Sequence, residues 1–127
     1  MLLSDAELVD RARPITREIA ARERAKAIRR LELKAGTPEW TAELSGLVIA
    51  AREGRVDSLF LGPGAPELWG VFDPATNGLE VREQPEPGDE DLIESAVFHT
   101  LRTGGRVWPV SPGELPVDGE AVALLRY

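Results

Sequence analysis

The sequence predicts an α/β domain in which helices pack on both faces of a central sheet. Segments of helical and strand period follow one another in the order helix, helix, strand, strand, strand, helix, strand, strand, a mixture suited to a layered sheet. The 127 residues are 43% hydrophobic and 29% charged, an ordinary globular composition. A chain of that length buries roughly two thirds of its unfolded surface, enough to fold without a staple.

The first element is a helix. Ser4 and Glu7 have capping-box spacing, and Leu3 and Leu8 stand where a hydrophobic staple would place them. Leu8, Ala12, Ile15 and Ile19 share one helical face, continued by Ala27, Ile28 and Leu31. Pro14 is expected to kink this helix or to begin a second one, because it lacks a donor and crowds the preceding turn. Gly36 supplies the stop, so residues 1–36 form an N-terminal helical segment ahead of an α/β domain over 37–127.

Thr37 and Pro38 read as N-cap and first turn of the next helix, with Trp40, Leu44, Leu47, Val48 and Ala51 on its apolar stripe. Val56 to Leu61 is a short apolar run before Gly62, Pro63 and Gly64, hence a buried strand. Leu68 to Phe72 and Leu79 to Arg82 are joined by Asp73, Pro74, Asn77 and Gly78 and read as a hairpin. In the next helix Asp89, Glu90 and Asp91 crowd the first turn, where the macrodipole favours them. Leu92, Ile93, Ala96, Val97, Thr100 and Leu101 make its buried face, and Gly104 and Gly105 end it. Arg106 to Val110 reads as a strand, and Ala121 to Leu125 as an interior one.

Charge is distributed unevenly. The formal net charge is -7, yet Arg11 to Lys34 holds nine basic residues against three acidic ones. From Ala35 onward there are six basic and sixteen acidic residues, a body that repels phosphate. The basic helix admits two readings. Glu18, Glu23 and Glu32 fit a solvated helix laced with ion pairs, whereas Arg22, Arg29 and Arg30 are candidate contacts to RNA or a partner.

Catalytic and metal chemistry finds little to work with. The absence of cysteine excludes disulfides, thiolate metal sites and a cysteine nucleophile, and suits a reducing cytoplasm. No cationic leader and no run of about 18 apolar residues is present, so neither export nor a membrane span is expected. His99 is the only histidine, flanked at helical spacing by Ser95, Ala96, Arg102 and Thr103, so no second imidazole completes a metal site. A serine triad would need the same His99, and no Gly-x-Ser-x-Gly elbow exists. Glu86, Asp89, Glu90, Asp91 and Glu94 lack the spacing of a calcium loop, and helix-start electrostatics explains them. Gly62 and Gly64 lack the third glycine of a phosphate loop and read as a turn. Trp40, Trp69 and Trp108 read as core. No catalytic residue, metal or cofactor is therefore expected.

From Ala50 onward the sequence resembles a known family. Ala50-Ala51-Arg52-Glu53-Gly54-Arg55-Val56-Asp57-Ser58-Leu59-Phe60 resembles a signature of the bacterial relatives of archaeal and eukaryotic class-1 peptide chain release factors. Trp69, Gly70, Phe72 and Asp73, then Gly88 to Leu92 and Thr100 to Val107, then Leu115, Pro116 and Ala121 to Tyr127, continue the likeness to the family's C-terminal domain. The resemblance implies a three-layer α/β/α sandwich with a mixed sheet, similar to the ribosomal-protein fold that binds kink-turn RNA. It implies a domain that docks a translational GTPase or the ribosome, while stop-codon reading and peptidyl-tRNA hydrolysis belong to two preceding domains. Gly104 and Gly105 are followed by Arg106 where the hydrolytic motif has glutamine, so no catalytic residue carries over. Two functions are thus expected: protein docking at the ribosome, or RNA binding through the basic helix.

Overall fold

Two apolar runs build the centre of the molecule. In the computed structural model, which describes the backbone of residues 5–76 and 78–127 and the side chains of 16–76 and 78–127, strand β2 (Val56–Leu61) lies antiparallel to strand β7 (Ala121–Leu125). Strand β6 (Arg106–Pro109) runs parallel to β2 on one side, and the short strand β1 (Trp40–Thr41) pairs antiparallel with β7 on the other. The order β1-β7-β2-β6 leaves β2 and β7 covered on both faces, which is why β7 is continuously apolar and β2 is apolar apart from Asp57 and the buried Ser58.

Alternation along these strands sorts the core into two layers. Leu59, Ala121 and Ala123 point to one face, where they meet Leu47, Val48, Ala50 and Ala51 of helix α2 (Leu44–Arg52) and Leu92 and Ala96 of helix α3 (Leu92–Arg102). Phe60, Val122 and Leu124 point to the other, where they meet Trp108, Val110 and Ala27 and Leu31 of helix α1 (Asp5–Lys34). Val56 joins Leu59 on the α2/α3 side because the pairing with β7 slips between Val56 and Ser58, as at a bulge. Helices on both faces of a mixed sheet make the α/β sandwich expected from the sequence.

A second sheet, order β4-β3-β5, flanks the first. The expected hairpin is present as β3 (Trp69–Asp73) and β4 (Gly78–Arg82), and Glu90–Asp91 adds a short strand β5 beside β3. The hairpin therefore does not extend the central sheet. Gly70 is required where the two sheets meet the helices: a Cβ there would lie 1.8 Å from the Glu80 carbonyl oxygen and 3.1 Å from Leu92.

Three local expectations are corrected, and one of two alternatives at Pro14 is removed. The second helix begins at Leu44, not at Thr37 and Pro38. Thr37 instead closes a turn, its hydroxyl donating to the Lys34 carbonyl at 2.8 Å and accepting from the Glu39 amide at 3.2 Å. Trp40 accordingly sits in β1, opposite Leu124, with its indole N–H donating to the Ala35 carbonyl at 2.8 Å. Leu101 is not buried but 55% exposed. Helix α1 runs from Asp5 to Lys34 as one helix, so no second helix begins at Pro14. The capping-box and staple positions at Ser4 and Leu3 lie outside the described residues.

Candidate functional site

Two surfaces combine exposed apolar or charged groups with a defined frame, one on each side of the central sheet. The first is the outer face of α3. Asp91 caps the helix, its carboxylate accepting from the amides of Ile93 at 3.1 Å and Glu94 at 3.0 Å, which fixes where the next two turns project. Arg52, at the end of α2, lies 4.1 Å above the Phe72 ring and 3.8 Å from Glu90. Between them an open groove of about 510 Å³ is bordered by Arg52, Glu90, Glu94, Ser95, Phe98 and His99. Phe98 is 58% exposed and stands edge-on to His99, with ring centres 5.3 Å apart.

His99 is held below its ordinary range by burial first, then by the cations Arg52 and Arg102, against a smaller opposing pull from Glu90. It is neutral at pH 7. Its ring makes no hydrogen bond to a carboxylate or hydroxyl among the described residues, so it is not arranged as a base with an orienting partner. The acidic cluster resolves into separate structural tasks. Asp89 does not sit in the helix's first turn: it is clamped by Arg82 and accepts from the Glu86 amide at 2.9 Å. Burial alone would lower the Arg82 guanidinium, but Asp89, with Glu80 and Glu86 around it, more than offsets that and raises it above its ordinary value. Among the described residues, no three histidine or carboxylate side chains group as a metal would require.

The second surface is the solvent side of α1. Residues 16–22 are exposed all round, and only beyond Glu23 does the helix settle on the sheet. Arg22 and Arg29 are exposed and have no carboxylate partner among the described residues. Arg30 is tied instead to Asp57 at 3.4 Å. Arg24 reaches Glu114 at 2.6 Å, and Lys34 reaches Glu39 at 2.7 Å. Glu114 is held below its ordinary range, chiefly by the Ser111 amide and then by Arg24, while burial pulls the other way. Only Glu23 and Lys26, 3.3 Å apart, form an ion pair within the helix among the described residues. The expected lacing of the helix by its own glutamates is thus mostly replaced by anchors to the body.

The remaining motifs are structural. The Ala65 amide donates to the Gly62 carbonyl at 3.2 Å, making the Gly62–Gly64 stretch a turn, and the Gly62 amide ties it to the Glu120 carbonyl at 2.7 Å. Gly105 packs so closely that a Cβ would lie 2.5 Å from the Val56 carbonyl oxygen, which accounts for the Gly104-Gly105 pair without chemistry. Trp108 is buried, while Trp40 and Trp69 are half-buried. Leu101 was not legible as a surface group, because apolar residues at helical spacing read as core whether or not another layer covers them, while Phe98 fell outside the expected buried face.

Compared by sequence, the chain matches no protein-family model and no curated protein. Compared by structure, it is similar to the C-terminal domain of peptide chain release factor from Methanosarcina mazei, with a TM-score of 0.65 over 100% of this chain and 98% of that one. The two are 15% identical in sequence, so the likeness is one of fold: a release-factor C-terminal-like α/β sandwich, reached independently by the residues quoted from Ala50 onward.

Proposed function

We propose that this chain is a non-catalytic docking domain of a release-factor-like protein, acting in translation during termination, ribosome rescue or hibernation. The observation that carries this reading is the end-to-end fold likeness to a release-factor C-terminal domain. Its partner on this reading is a translational GTPase or the ribosome, and the contact surface is the α3 groove. There Phe98, 58% exposed, offers apolar area, with Leu101, 55% exposed, about one turn further along α3, and Glu90 and Glu94 border the groove, Glu90 beside Arg52 at 3.8 Å. An apolar centre with an acidic border suits a basic protein surface.

Purified ribosomes and purified translational GTPases, each tested for retention on the immobilised chain, decide the matter. Retention of one of them is expected, with a loss of about tenfold or more in affinity, equivalent to about 1.4 kcal/mol, for the double variant F98E/L101E. Retention of neither would remove the reading. The non-catalytic part has its own test: turnover in an esterase and phosphatase screen that disappears in H99A would overturn it.

A further inference from the structure

We infer that the solvent face of α1 is a binding site for the phosphodiester backbone of RNA. Arg22, Lys26 and Arg29 recur at helical spacing, so all three project along one line, each about one turn, or ~5 Å, beyond the last. Two hollows continue that line. One, of about 320 Å³, is bordered by Lys26, Arg29, Arg30 and Leu33. The other, of about 330 Å³, is bordered by Arg30, Leu33, Lys34 and Arg126, with Leu124 and Leu125 as apolar floor. Arg30 and Leu33 belong to both, which makes a single trough.

The trough draws its cations from the solvent face of α1. Arg126 borders the second hollow, but its guanidinium is turned to the ends of α2 and α3, donating to the carbonyls of Thr103 at 2.7 Å and Gly54 at 3.3 Å. Among the described residues, the carboxylates bordering the two hollows are Glu23 and Asp57, each already engaged by one cation. Positive charge is concentrated here in a chain that from Ala35 onward has sixteen acidic residues against six basic ones. Repulsion from that acidic stretch is screened beyond about 8 Å at physiological salt, so the trough acts locally.

A lipid surface fits less well. An interfacial helix inserts an apolar face, and the apolar side of α1 is already spent on the sheet through Ala27 and Leu31. DNA offers the same backbone chemistry; RNA is chosen because the chain is read as acting in translation, and that one choice rests on the proposal above.

Fluorescence anisotropy with a labelled RNA duplex of about 20 base pairs tests the site, with a DNA duplex of equal length and anionic vesicles of phosphatidylglycerol as parallel arms. Binding at about 50 mM KCl is expected, falling towards 200 mM with a log–log slope of about -3 to -4. R22E/R29E should weaken it at least about tenfold and flatten the slope by about two, with R22Q/R29Q falling between it and the parent. R102E, a cation on the far side of the sheet, should bind as the parent does. No binding at low salt, an equal loss in R102E, tighter binding to DNA, or capture by vesicles with RNA ignored would each overturn the site. F98E/L101E should keep its RNA affinity, so failure of the docking surface and failure of this one are read separately.

Discussion

The two faces of the central sheet are covered in different ways. On one, α2 and α3 contribute Leu47, Val48, Ala50, Ala51, Leu92 and Ala96 to a continuous apolar layer. On the other, among the described residues, α1 contributes Ala27 and Leu31, with Ile28 at the margin, and adds the ion pairs Arg24–Glu114, Arg30–Asp57 and Lys34–Glu39. Most of the circumference of its described part is left exposed. Both faces hold a buried core, and α1 adds a charged surface to one of them. Burial of two or three side chains nonetheless outweighs these half-exposed ion pairs, each worth at most about 1 kcal/mol.

Consecutive residues of β2 put that contrast to its hardest test, because Leu59 and Phe60 are both fully buried but on opposite faces. Phe60→Ala should cost about 3–5 kcal/mol and Leu59→Ala about 2–5 kcal/mol in denaturant unfolding. The distinguishing result is local. Phe60→Ala should raise hydrogen exchange in α1 beyond what the global loss explains, whereas Leu59→Ala should leave α1 no more exposed than the rest. Equal α1 exchange in the two variants would break the comparison.

Within the α2/α3 face the two helices differ at their starts. Asp91 caps α3 with two backbone hydrogen bonds, whereas Glu43 at the head of α2 makes no side-chain cap. Asp91→Ala should therefore destabilise by about 1 kcal/mol, and Glu43→Ala should fall within the scatter of an ordinary surface change. Thermal unfolding of the pair measures this, and equal losses would show that the caps do not set the order of stability.

Where the sequence was readable and where it was not follows the same division between local and long-range physics. Both inner strands were legible at their bounds, because their apolar residues cluster between turn residues, unbroken in β7 and interrupted in β2 by Asp57 and Ser58. The start of α2 was misread because Thr37 and Pro38 satisfy the local grammar of a helix start. What decides their conformation is the pairing of Trp40 and Thr41 with Leu124 and Ala123, more than eighty residues away. The separate second sheet was hidden for a similar reason, since alternation reveals a hairpin but not which edge it joins. Of the candidate contacts, Arg22 and Arg29 were legible as solvent-facing cations, but the Asp57 partner of Arg30 was not.

Acid titration offers the finest discrimination between the two faces. His99 on α3 is held below its ordinary value of 6.5, so between its folded and unfolded values the unfolded chain binds more protons. Its contribution is fully present above pH 6.5 and declines as the pH falls from there towards the folded value. Glu114, which anchors α1 through Arg24, is likewise held below its ordinary 4.5, so its contribution persists to lower pH and is lost only as the pH drops from 4.5 through the folded value. The two losses have the same sign but occupy separate windows. His99→Gln should remove the upper one and leave the lower, and Glu114→Gln the reverse, as read from denaturant midpoints across the range. If His99→Gln leaves the slope below pH 6.5 unchanged, neither burial nor the cations Arg52 and Arg102 hold that ring down, and the electrostatic distinction between the two faces loses its support on that side.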